Sequence, residues 1–189
     1  MILPYNKGTA LAGPQEERKG ERALAPAMAH PARNAVPANI LNPSRIFFVT
    51  TSTSMGRRLL QSERNAQLLI DVLRSLVAEH KFDLHDFVIM PDHVHLLMEV
   101  VGDMTIEKAM QLIKGRFSHR ISHEFSYKGE VWQRGFTEVQ VMNRENFEVH
   151  REYIGQNPVK AGMVVSGDDF PFCFRYLAKK KAEARISRG

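Results

Sequence analysis

The stretch "FVIMPDHVHLLMEV" carries His93 and His95 one residue apart within an apolar run. Two imidazoles at i and i+2 of a strand point to the same face, and together they can hold one divalent cation. A pair is an incomplete site, and an H-x-H pattern by itself is weakly specific. Two rings solvated on a polar sheet face would read the same way. The segment "HREYIGQNPVKAG" offers further groups, because Tyr153 and Asn157 lie four residues apart and would share one face of a helix. Asn157 could give a carbonyl oxygen to a cation, with the Tyr153 hydroxyl beside it. A core tyrosine and a helix-end asparagine would leave the same trace.

Positioning these groups requires particular elements around them. Residues 45–53, "RIFFVTTST", are β-branched and aromatic, as a strand requires. Between residue 62 and about residue 81, Leu68, Leu69, Val72, Leu73, Leu76 and Val77 recur at threes and fours, the stripe of an amphipathic helix. Residues 83–90 and 93–101 read as two strands joined by a Pro91-Asp92 turn. A second helix is expected over about 105–125, and a strand broken near Gly135 over 130–142. A third helix begins near Asn143, a good cap, and is expected to stop at Pro158. The order β-α-β-β-α-β plus a helix predicts an α+β, ferredoxin-like split βαβ fold, with an antiparallel sheet and helices on one face. Val94, Leu96, Met98 and Val100 would face those helices, leaving His93, His95, Leu97 and Glu99 on the open face.

The chain has 189 residues, with 43% hydrophobic and 25% charged side chains, enough for one globular domain. Its net charge of +5 and pI near 9.5 favour an anionic partner such as nucleic acid, although charge alone is weak support. The single cysteine, Cys173, excludes an internal disulfide framework and a Cys-rich zinc module. No apolar run approaches the roughly 20 residues of a membrane span, and no secretory signal is seen, so a soluble cytoplasmic protein is expected. Residues 1–43 are rich in Ala and Pro without an apolar period and read as a disordered tail, with Met28 as an alternative start. Residues 178–189 read as a frayed basic tail, which bounds the expected domain at 44–177.

Three segments, "FVIMPDHVHLLMEV", "VWQRGF" and "YIGQNPVKAGMV", occur in an order and at separations that resemble the single-tyrosine HUH transposase superfamily, and in particular its REP-associated tyrosine transposases. The likeness runs from about residue 45 to residue 176. It implies that His93 and His95 bind Mg²⁺ or Mn²⁺, that Tyr153 is the nucleophile, and that Asn157 is the third ligand, with Gln156 a weaker candidate. Two departures stand out: in "GFTEVQV" the acid Glu138 is kept, but Thr137 stands where the family often has an aromatic or His and Val139 where it has a basic residue or His, and "FPFCFRY" replaces a Trp-containing end.

What the likeness implies is a metal-dependent enzyme that nicks and joins single-stranded, hairpin-forming repeat DNA through a 5′-phosphotyrosine. A cation would neutralise the phosphate, and the covalent link would conserve the energy for rejoining. This agrees with the absence of a phosphate-cradling G-x-x-x-x-G-K-[ST] loop. Candidate DNA contacts are Lys114, Arg116 and Arg120 in the second helix, with Arg134, Arg151 and Lys160 nearer the site. Trp132 and Phe136 are candidates for base stacking or for core packing. Insertion-sequence relatives act as dimers, the REP-associated group looks more monomer-like, and a monomer is expected here. A DNA-binding protein on the same scaffold without cleavage is the competing reading. A 2H-type phosphoesterase would need two separated H-x-[ST] motifs, which the chain lacks.

Overall fold

The computed structural model describes residues 44–187. The tail expected over 1–43 lies outside them. Four strands form one antiparallel sheet in the order β2-β3-β1-β4: β1 Ser44–Ser52, β2 Asp83–Ile89, β3 His93–Val101 and β4 Thr137–Val141. Helices α1 (Glu63–Ala78) and α2 (Ile106–Phe125) follow the expected stripes. Thr105 caps α2 by accepting a hydrogen bond from the Lys108 amide at 3.2 Å.

Strand alternation divides the sheet. Phe47 and Val49 of β1 join Val94, Leu96, Met98 and Val100 of β3 in the main core, beneath Leu69, Leu73 and Leu76 of α1 and Met110, Ile113 and Phe117 of α2. Each such side chain taken from water stabilises the fold by roughly 1.5–3 kcal/mol. On the other face, Phe48, Val88 and Leu97 pack with Ile154, Phe170 and Cys173 in a second, smaller core. The histidine face is therefore not open: helix α3 (Arg144–Lys160) lies across it, and His95 is only 3% exposed.

Three local expectations are corrected. Helix α3 does not stop at Pro158 but runs through it to Lys160. The proline stands in the last turn, where the neighbouring carbonyls still find donors: Ala161 bonds to Asn157 at 3.0 Å and Met163 to Pro158 at 2.9 Å. The strand expected over 130–142 is regular only from Thr137, because Gly135 takes a left-handed φ of 71°; Trp132 keeps an isolated bridge to Thr53. The supposed basic tail is helical, since α4 spans Phe174–Ile186. Cys173 caps it through a Tyr176 N–H to Sγ contact of 3.4 Å, and Leu177 packs against the main core.

Candidate active site

Register brings the site together. Ser52 lies opposite His93 and Thr50 opposite His95 across the β1–β3 pair, all on the α3 face. The Thr50 hydroxyl bonds His95 Nδ1 at 2.8 Å, and the Asp92 carboxylate bonds His93 Nδ1 at 2.7 Å. A carboxylate only accepts, so Nδ1 of His93 is the donor in this bond, and in the neutral ring Nε2 is then the nitrogen with the lone pair. The Thr50 hydroxyl can either accept from or donate to Nδ1 of His95, and in the tautomer where Nδ1 donates, Nε2 is the free nitrogen. Holding the far nitrogen by a hydroxyl or carboxylate is how proteins fix the tautomer and tilt of a metal-binding imidazole. Burial, followed by the neighbouring His93, pushes His95 down to about 3, so it remains a neutral donor at neutral pH.

The two imidazoles stand 4.8 Å apart, centroid to centroid, with their planes 74° to each other. Helix α3, capped by the Asn143 side chain, which accepts from the Asn146 amide at 2.8 Å, brings Tyr153 to them. The phenol ring is 5.2 Å from the His95 ring and edge-on to it, and 5.7 Å from Phe48. Phe48 itself is stacked between His95, at 5.4 Å, and His150, at 4.5 Å. This aromatic wall fixes where the phenol and the imidazole can lie. Asn157 follows Tyr153 by one helical turn and is half-buried. Among the described residues no three His, Cys, Asp or Glu side chains are grouped to hold a metal. A cation at the histidine pair would therefore complete its shell with amide, water or phosphate oxygens, and an asparagine one turn from the phenol suits that need.

The other candidates fall into different surroundings. Gln156 donates to Glu152 at 2.8 Å. Glu99 holds His85 at 3.0 Å instead of supporting His93 or His95. Lys160 Nζ, on an exposed side chain, lies 5.5 Å over the Tyr153 ring. Arg151 is on the same helix, 3.5 Å from Asp86. Arg134 is exposed in the loop after Trp132, whose neighbour Gln133 bonds back to Ser52 at 2.9 Å. Three cations of α2 belong to the layer behind the sheet. Lys114 donates to the carbonyls of Gln133 and Gly135 at 2.8 and 2.7 Å. Arg116 grips Ser75 of α1 and Glu79 just beyond its end, and Arg120 pairs with Glu124. Trp132 and Phe136 pack on the main core, as their packing reading expected.

The sequence model of the family described as "Transposase IS200 like" matches residues 47–157, a span that includes the histidine pair, Tyr153 and Asn157. This chain belongs to that transposase family. Within it the chain is similar to the REP-associated tyrosine transposase of Escherichia coli (strain K12), at 27% identity over 127 residues, covering 67% of this chain and 73% of the relative. Among solved structures it is similar to a REP-associated tyrosine transposase bound to a REP hairpin: the TM-score is 0.61, identity is 25%, and 77% of this chain and 82% of that one are covered. The fold of this IS200-like transposase is thus the α+β plan its sequence resembled. Thr50, Asp92 and Phe48, which orient and wall in the histidines, escaped the sequence reading. Asp92 stood next to His93 in plain view, whereas Thr50 and Phe48 emerge only once strand register is known.

Proposed function

We propose that this transposase nicks and rejoins single-stranded DNA at hairpin-forming repeats, with Tyr153 as nucleophile and a divalent cation held at His93 and His95. The observation that carries the reading is the approach of the Tyr153 phenol to His95, whose ring neighbours His93 and is held by Thr50, within one chain. The likeness to a transposase bound to a REP hairpin supports the substrate class. His93, His95 and Asn157 would hold Mg²⁺ or Mn²⁺, which when bound would supply positive charge to neutralise the scissile phosphate.

Tyr153 Oη forms the new bond to phosphorus and loses its proton, the bond to the 3′-oxygen breaks, and that oxygen takes up a proton. The 5′-phosphate stays on the tyrosine, and attack by a 3′-hydroxyl reverses the step. Phe48, itself stacked on His150, walls the phenol ring, and Lys160 meets the phosphate charge at its edge. The contact between Tyr153 and His95 of one chain favours action in cis by a monomer. No helix among the described residues is long and apolar enough to cross a membrane, and the cytoplasm is the compartment this reading expects.

The test is incubation with labelled single-stranded repeat DNA and Mn²⁺, followed by a denaturing gel. A covalent adduct is expected, absent with EDTA and in Tyr153→Phe. Hairpin binding with no adduct under any divalent metal would leave a DNA-binding protein that does not cleave.

A further inference from the structure

The chemistry above makes no use of Asp86, yet this carboxylate is fully buried on the face that α3 covers. A β-bulge between Leu84 and Asp86 inserts His85 into β2, so that His85 and Asp86 both turn toward α3 while Leu84 keeps its place in the main core. Asp86 Oδ1 accepts the Phe87 amide at 2.8 Å. Its Oδ2 is buried without a hydrogen bond and faces two guanidinium groups, Arg151 Nε at 3.5 Å and Arg175 Nε at 3.7 Å.

Arg175 comes from α4 and reaches the same turn of α3. Its Nη2 donates to the Arg151 carbonyl at 2.8 Å and lies 3.5 Å from Glu152 Oε2. The guanidinium occupies the space over Gly155, where an added Cβ would come within 2.5 Å of Nη1 and 2.6 Å of Cζ. Gly155 is thus the residue that admits Arg175. Arg151 and Gly155 lie on one side of α3, and Tyr153, two residues from each, points about 160–200° away at 100° per residue. The helix is held along one flank, over β2, at the turn that carries the phenol on its other flank, over β3.

We propose that Asp86 and Arg175 are positioning residues that fix the rotation and height of α3, and so the approach of Tyr153 to His95. The inference rests on the reading of Tyr153 as nucleophile. Apolar packing of Ile154 tolerates small slides, whereas a guanidinium fork shared by a carbonyl and two carboxylates sets direction. Displacements near 1 Å at a reacting group can lower a rate about a hundredfold.

The test compares Asp86→Asn, Arg175→Gln, Arg175→Lys and Gly155→Ala with the full-length wild type. Three quantities are read: the single-turnover adduct rate at saturating hairpin DNA with Mn²⁺, the hairpin Kd, and the NMR shifts of the His95 ring protons. Tyr153→Leu serves as the reference for a lost phenol contact. Asp86→Asn and Arg175→Gln are expected to slow adduct formation at least tenfold with Kd within twofold, and to move the His95 shifts toward those of Tyr153→Leu. Arg175→Lys should recover part of both effects. Wild-type rate and wild-type His95 shifts in the folded variants overturn the proposal, as does a slowed rate with unmoved shifts. If Asp86→Asn does not fold, Arg175→Gln and Gly155→Ala decide it. Should the wild type itself form no adduct, the nucleophile reading fails, and the His95 shifts alone decide whether the clamp exists.

Discussion

The Tyr153 ring stands edge-on to the His95 imidazole, with 5.2 Å between centroids. Aromatic contacts of this kind contribute about 0.5–1.5 kcal/mol and depend on the ring, not the hydroxyl. Tyr153→Phe should therefore keep the fold, with a stability change below about 1 kcal/mol, and keep hairpin affinity within twofold. Adduct formation should vanish. Thermal melts, gel shifts and denaturing gels check the three parts.

The histidines differ in their surroundings, which separates their structural and ligand roles. His95 is buried against Phe48 and bonded to Thr50, while the His93 side chain is 27% exposed. His95→Ala should destabilise the metal-free protein by about 2–4 kcal/mol through lost packing and an orphaned Thr50 hydroxyl. His93→Ala should lower stability by under about 1 kcal/mol. Both should weaken Mn²⁺ binding by more than tenfold, measured by calorimetry.

Acid should unfold the metal-free protein through His95. Its folded value is pushed down to about 3 from an ordinary 6.5, so the unfolded chain takes up a proton that the folded one refuses. The folded state is unpenalised above 6.5 and loses stability as pH falls from there toward 3, by about 2 kcal/mol at pH 5. Burial pushes Asp86 up, a shift of opposite sign. Urea midpoints at pH 7.5 and 5 in EDTA, compared with His95→Gln, isolate the histidine. A variant with the same pH sensitivity as wild type would exclude this origin.

The six candidate DNA cations should separate by layer. Lys160→Ala, beside the Tyr153 ring, should weaken hairpin binding several-fold and lower the salt slope by about 1. Arg116→Ala and Arg120→Ala, committed to Glu79 and Glu124 behind the sheet, should leave affinity within twofold. Binding titrations across salt concentrations distinguish them.

Much of this architecture was legible because it follows from side-chain periods. Leu69, Leu73 and Leu76 announce α1, and the alternation about His93 and His95 announces β3 with both rings on one side. The tyrosine helix announced its start through Asn143 but not its end, since a proline in a last turn removes little that the turn needs. What stayed hidden depends on three-dimensional neighbours. Thr50 acquires its role only through β1–β3 register, Asp86 only through a bulge, and Arg175 only once α4 packs against α3. The segment "FPFCFRY", a departure from the family pattern, supplies Phe170 and Cys173 to the second core and Arg175 to the clamp.

Trp132, the sole tryptophan, is 6% exposed beside Phe117, with Nε1 donating to the Lys114 carbonyl at 3.2 Å. Its emission therefore reports on the helical layer behind the sheet, while the phenol and imidazoles occupy the opposite side. Fluorescence thus offers a native gauge of whether that layer is intact, and because Trp132 bridges to Thr53, whose amide bonds to the Asp92 carbonyl beside His93, the gauge sits one strand end from the histidines.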